Sequence, residues 1–180
     1  QVNVFRTTPR IVMGTGAARS LGDEARALGA RRVLVVTDPG VVRAGLLDPV
    51  LSSLSAARLR AVVFDDVEPD PSHEIVARCL DHARAERPGC VIGLGGGSSM
   101  DIAKTVAILL RNEGPISRYF GVDLVPAPGV PTIMVPTTAG TASEVTNVAI
   151  LSDHGEKLQT GVVSPHLFPA VAVCDPGLTV

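Results

Sequence analysis

The sequence predicts an α/β fold, a parallel sheet flanked by helices, and two observations carry that expectation. Short runs rich in β-branched residues, at 32–37 (RVLVVT), 59–64 (LRAVVF) and 90–94 (CVIGL), show no polar alternation and read as strands buried on both faces. Between them lie longer stretches with apolar residues at three- and four-residue spacing, the pattern of helices with one buried face. Repeated alternation of the two types is βαβ, whose crossovers produce parallel pairing.

Taken in order, helices are expected at about 17–28, 41–55, 72–86 and 99–111. Asp70-Pro71-Ser72 reads as a helix start, a capping side chain beside a proline whose missing donor costs nothing there. After about residue 111 the texture changes to Pro- and Gly-rich loops (VPAPGVP, 125–131) around short strands at 132–135 and 145–151. A last buried strand is expected at 170–175 (AVAVCD). No repeat or low-complexity linker interrupts the chain, so residues 1–180 read as one domain. Because the sequence stops just beyond that strand, it is expected to be a piece of a longer protein.

Composition narrows the function. A 180-residue chain that is 46% hydrophobic can bury a sizeable core. Its 16 basic and 18 acidic residues leave a net charge of -2 without a basic stripe, which argues against a nucleic-acid partner. No apolar run reaches the roughly 18 residues of a spanning helix, and no secretion signal opens the sequence, so a soluble, cytoplasmic protein without a membrane partner is expected. Cys79, Cys90 and Cys174 form no CxxC pair and no disulfide framework.

The strongest local signal is Gly93 to Thr105, GLGGGSSMDIAKT, which places glycines at the end of a hydrophobic strand and opens directly into a helix. Glycines let the backbone turn tightly and approach a ligand, while free amides at a helix start attract phosphate. The competing explanation is a plain turn capped by Ser98 or Ser99. Asp101 is read as a favourable charge for the helix dipole. Gly14-Thr15-Gly16 fails as a dinucleotide fingerprint because Arg19 stands where the third glycine belongs. No Walker A pattern exists either.

Asp38 ends the strand VLVVTD before Pro39-Gly40, at the carboxyl edge where open α/β sheets bind ligands. A carboxylate there can accept both hydroxyls of an adenosine ribose and would repel a 2′-phosphate, which favours NAD over NADP; it can also cap the following helix. A third cluster, Val135 to Ile150 (VPTTAGTASEVTNVAI), crowds the hydroxyls of Thr137, Thr138, Thr141 and Ser143 around small residues, suited to phosphate or ribose but equally to a polar surface loop. His73, His82, His154 and His166 show no i, i+4 pair and are expected to be solvated. No G-x-S-x-G elbow or activated cysteine suggests nucleophilic catalysis.

In order and spacing, TDPG, GGGSSMDIAK, PTTAGTASEVT and VCDPGLT resemble the amino-terminal domain of iron-containing, group III metal-dependent alcohol dehydrogenases, over nearly the whole chain. The resemblance implies a Rossmann-like NAD-binding domain at 1–180, with the family's all-helical metal-binding second domain beyond residue 180. It implies that Asp38 holds the adenosine ribose and that Gly95, Gly96, Gly97 and Ser98 hold the pyrophosphate. Thr137 and Thr138 match positions near the adenine and phosphates, and Ser143 one along the phosphate and nicotinamide portion. Lys157 matches a lysine reaching the nicotinamide ribose, and Leu178 an apolar contact on the adenine side. The family's divalent metal, iron, is held by ligands of the second domain, so no catalytic residue or metal ligand is expected here.

The full-length parent is then expected to be a homo-oligomer that moves hydride between an alcohol or aldehyde and NAD. The 180 residues alone should bind NAD without turnover. A metal-independent maleylacetate reductase and a non-catalytic nucleotide-binding module remain as alternatives.

Overall fold

A computed structural model describes residues 2–153 and 158–179. Its regular elements are β1 (Ile11–Met13), α1 (Leu21–Ala27), β2 (Arg32–Val36), α2 (Pro39–Arg43), α3 (Leu47–Ala56), β3 (Arg60–Phe64), α4 (His73–Glu86), β4 (Cys90–Gly95), α5 (Gly97–Leu109), β5 (Gly121–Val122), β6 (Thr132–Pro136), β7 (Val148–Asp153), β8 (Leu158–Val163) and β9 (Val171–Cys174).

Six strands form one sheet in the order β1-β9-β6-β4-β2-β3, every pair parallel. The expected α/β class is therefore observed. A smaller sheet, β5-β8-β7, carries one parallel and one antiparallel pair.

Continuous apolar runs serve both faces of the main sheet. Along β2, Val33 and Val35 point to one core while Leu34 and Val36 point to the other, and all four are fully buried. Against the first side pack Leu21 and Ala25 of α1 with Val50 and Leu54 of α3; against the second pack Val76 and Cys79 of α4 with Ile102 and Val106 of α5. Each buried Val, Leu or Ile among them contributes about 1.5–3 kcal/mol through burial, which makes this two-layered interior the main stabilising force. Gly22 permits a close approach of α1 to α3: a Cβ there would stand 2.3 Å from the Ser53 carbonyl oxygen, and its amide donates to Ser53 Oγ at 2.9 Å.

The structure alters several expected elements. The helix expected at 41–55 is two, because Gly45 adopts φ 72 and ends α2 before α3 starts at Leu47. The stretch at 17–28 begins as a 3-10 turn, Ala17–Ser20, before α1. At α4 the N-cap is Ser72, but no side chain bonds the helix start, and Asp70 adopts φ 51. The expected strand at 145–151 begins later, at Val148, because Ser143–Val145 forms a 3-10 turn. Strands β1, β5 and β8 add to the elements read from the sequence.

Topology fixes the ligand-facing edge. From β2 the chain passes to β3 on one side and then crosses to β4 on the other side of β2. The order therefore reverses between β2 and β4. Helices leave adjacent carboxyl ends in opposite directions at such a point, which opens a crevice above the sheet.

Candidate functional site

Two chain segments meet at that crevice, Asp38 after β2 and the glycine run that joins β4 to α5. Gly95 adopts φ 145, a conformation that residues with a Cβ rarely take, and so turns the strand sharply into the helix. Gly96 is the N-cap of α5 and supplies no side chain. Ser98 and Ser99, the serines that could have made this an ordinary capped turn, do not cap the helix. The amides at the start of this thirteen-residue helix thus have no side-chain acceptor, an arrangement that with the helix dipole suits an anion.

The same glycines keep the cradle open. A Cβ on Gly96 would stand 3.4 Å from Thr138 Oγ1, and one on Gly97 would stand 3.3 Å from Thr141 Cγ2. The loop after β6 therefore forms the opposite wall. Its start is fixed by the bond from the Thr137 amide to the Gly95 carbonyl oxygen at 3.0 Å.

Asp38 combines two tasks. Its Oδ1 accepts from the amides of Gly40 at 2.8 Å and Val41 at 3.0 Å, which caps α2, while its Oδ2 accepts from Ser99 Oγ at 3.3 Å. A carboxylate offers about four acceptor positions, so one on Oδ2 remains for a ribose hydroxyl, and a second becomes free when the Ser99 hydroxyl turns aside. Asp38, Gly96, Ser98, Thr137 and Thr138 line one cleft of about 620 Å³. A second cleft of about 330 Å³ continues past Ser98 and Gly97 and is walled by Asp101, Thr141, Ser143 and Val148. The two clefts adjoin at Ser98, which lines both, so the glycine loop lies between them.

The other expected site residues fall differently. Ser143 is buried, and its hydroxyl is engaged within the protein: it donates to Asp101 Oδ1 at 2.5 Å and accepts from Lys104 Nζ at 2.8 Å. Leu178 packs into the core beside Ala18 and Val173 and lines neither cleft. Lys157 and His154 lie outside the described residues.

Two further expectations change, and one residue is added. Asp101 is not in the first turn of α5; it accepts from Ser143 Oγ and from the Ile150 amide at 3.0 Å, tying the helix to the second wall. His82 is not freely solvated, because its Nε2 is buried without a hydrogen-bond partner and its ring sits 6.2 Å from that of Phe64. Asp175, which sequence reasoning passed over, accepts from the amides of Gly16, Ala18 and Gly177, each at 3.0 Å. Burial alone raises its carboxyl pKa, yet these bonds outweigh burial and hold it below the usual range. The D-P-G run after a strand was the available signal, since an aspartate before proline favours an Asx turn.

Nucleophilic chemistry finds no support at the cysteines. Burial pushes the Cys79 and Cys90 thiols up to about 12, which leaves them protonated and inert near neutrality.

The family model for iron-containing alcohol dehydrogenase matches residues 8–176. Sulfoacetaldehyde reductase of Bilophila wadsworthia is 38% identical over 176 residues, which cover 98% of this chain and 46% of that protein. A crystal structure of 1,3-propanediol oxidoreductase superposes with a TM-score of 0.95 at 32% identity, covering 99% of this chain and 47% of the other. Sulfoacetaldehyde reductase from Bifidobacterium kashiwanohense, solved in complex with NAD+, gives a TM-score of 0.88 at 31% identity, with 99% and 47% covered. The chain spans about half the length of these relatives.

Proposed function

Because the chain belongs to the iron-containing alcohol dehydrogenase family, we propose that it is an NAD-binding domain whose whole protein transfers hydride between a small alcohol or aldehyde and NAD. The observation that carries the reading is the pairing at the β2/β4 switch point: the Asp38 carboxylate and the uncapped start of α5 face one groove. A carboxylate beside an anion site is what a ribose linked to a pyrophosphate requires.

The parts are proposed to divide the cofactor between them as follows. Asp38 accepts the adenosine ribose hydroxyls, and its charge disfavours a 2′-phosphate. Gly95, Gly96, Gly97 and Ser98 receive the pyrophosphate, with Thr137 and Thr138 as the facing wall. The cleft past Ser98 takes the nicotinamide end. Ser143 shapes that end, Lys157 reaches the nicotinamide ribose and Leu178 supports the adenine side from within the core. When bound, NAD supplies a hydride acceptor; the chain's own contribution is to hold and orient it.

The iron of the family name is a separate matter. Among the described residues no three His, Cys, Asp or Glu side chains come together to hold a metal ion. The described residues thus offer no cage for it, and the chain alone is proposed to bind NAD without converting alcohols. No described helix is long and apolar enough to cross a membrane. For the whole protein we propose a cytoplasmic homo-oligomer.

Calorimetric titration of the folded chain with NAD tests the reading. Saturable one-site binding, with no NADH formed when short-chain alcohols are added, is the expected result. A folded sample that binds no NAD would overturn it.

A further inference from the structure

Lys104 is one of only two lysines in the sequence, and it is 1% exposed in α5. Its ammonium donates to Ser143 Oγ at 2.8 Å, to the Val148 carbonyl oxygen at 3.0 Å and to Thr146 Oγ1 at 3.4 Å, with Asp101 Oδ1 3.7 Å away. Asp101 completes the network through Ser143 Oγ and the Ile150 amide. Four residues of the second wall, Ser143, Thr146, Val148 and Ile150, are thus tied to α5 through two side chains.

We infer that Lys104, with Asp101, is a positioning residue that holds the Ser143–Ile150 wall against α5 and so shapes the nicotinamide end of the groove without shaping the adenosine end. The inference rests on the dinucleotide reading above. Three observations carry it. The network's partners Asp101, Ser143, Thr146, Val148 and Ile150 all line the second cleft, and none of them lines the cleft at Asp38. Stability does not explain the lysine, because burying a charge carries a desolvation cost that a well-packed apolar side chain avoids. Burial pushes the Lys104 pKa down to about 8 against the opposing pull of Asp101 and Glu144, the cost expected of an ammonium kept for its directional bonds. Ser143 follows as a part of this clamp rather than a direct contact, since its proton is committed to Asp101.

The test compares NAD with AMP, which occupies only the adenosine end, on the chain carrying Lys104→Met or Ser143→Ala. Loss of a charged hydrogen-bond network predicts NAD binding weakened about tenfold in either variant, with AMP binding unchanged to within about twofold. Equal weakening of both ligands means a merely structural role and overturns the inference, as does unchanged NAD binding. Ser143→Ala, which deletes a single oxygen, decides the matter if Lys104→Met does not fold. Wild-type chain that binds neither ligand defeats the dinucleotide reading itself, whereas wild-type binding of both with no selective loss in the variants defeats this inference alone.

Discussion

Replacing Gly95 by alanine separates the fold from the ligand at the turn on which the site depends. The new Cβ would stand 2.7 Å from Ser99 Oγ, 2.9 Å from Ser99 Cβ and 3.1 Å from Asp38 Oδ2. Ser99 Oγ can rotate aside, but Ser99 Cβ is fixed to α5 and retreats only if the helix moves. A side chain held at φ 145 costs about 1 kcal/mol or more, and forced overpacking of a closed site adds about 1–3 kcal/mol. A loss of about 2–4 kcal/mol follows, a large part of the total stability of a domain this size. Gly97→Ala provides the contrast. Its φ is not positive, its Cβ would stand 3.3 Å from Thr141 Cγ2, and alanine suits a helix, so stability should change by less than about 1 kcal/mol. That methyl nevertheless projects into the cradle and should weaken NAD binding. Urea denaturation of the two variants, each with and without NAD, reads both effects. A Gly95→Ala midpoint within about 0.5 kcal/mol of wild type would refute the claim that the turn is closed to a side chain.

Other expectations follow from the same geometry. Asp38→Ala should raise NADP affinity relative to NAD and, by removing the α2 cap, lower stability by about 1 kcal/mol; an unmoved cofactor ratio in competition titrations contradicts the ribose role. At pH 8 a thiol reagent should modify half-buried Cys174 slowly but reach Cys79 and Cys90 only on unfolding, because burial raises all three thiols and seals the latter two; rapid native labelling of three thiols would be the wrong outcome. Stability should also peak near pH 9. Lys104 titrates at about 8 when folded against its ordinary 10.5, so above pH 8 it binds fewer protons than in the unfolded chain, and its own contribution to stability rises by about 1 kcal/mol over the next pH unit. Cys79 and Cys90 act oppositely: their folded values near 12 exceed the ordinary 9, so their contribution is full below pH 9 and declines as pH rises beyond it. Denaturation midpoints that fall steadily from pH 8 to 9 would contradict this balance.

Sequence showed most clearly what is continuous and apolar. The runs of β2 and β4 appear within a residue or so of where they were expected, because strands buried on both faces leave an unbroken pattern; β3 shows a similar run but is a half-buried edge strand, not the doubly covered one expected. Gly45 escaped notice because the apolar spacing carries on across it from α2 into α3, although the backbone reverses hand there. Strand β8, LQTGVV, mixes polar residues with a glycine, and the three-residue β1 is too short to show a period. At the site, the glycine run and Asp38 were legible since each breaks a local pattern in a way a phosphate or ribose explains. Lys104 and Asp101 were not. Charged residues on a helix ordinarily face water, and only the tertiary approach of residues 143–150 reveals that this pair is enclosed.

If the clefts from Asp38 past the glycine loop to Ser143 take one dinucleotide, hydrogen exchange of the folded chain with and without saturating NAD will register it. Slowed exchange is expected at Gly40 and Val41, across Gly96 to Ser99, and from Thr137 to Ser143, with residues 116–124 unchanged. Unaltered exchange at the start of α5 in a sample saturated with NAD would contradict it.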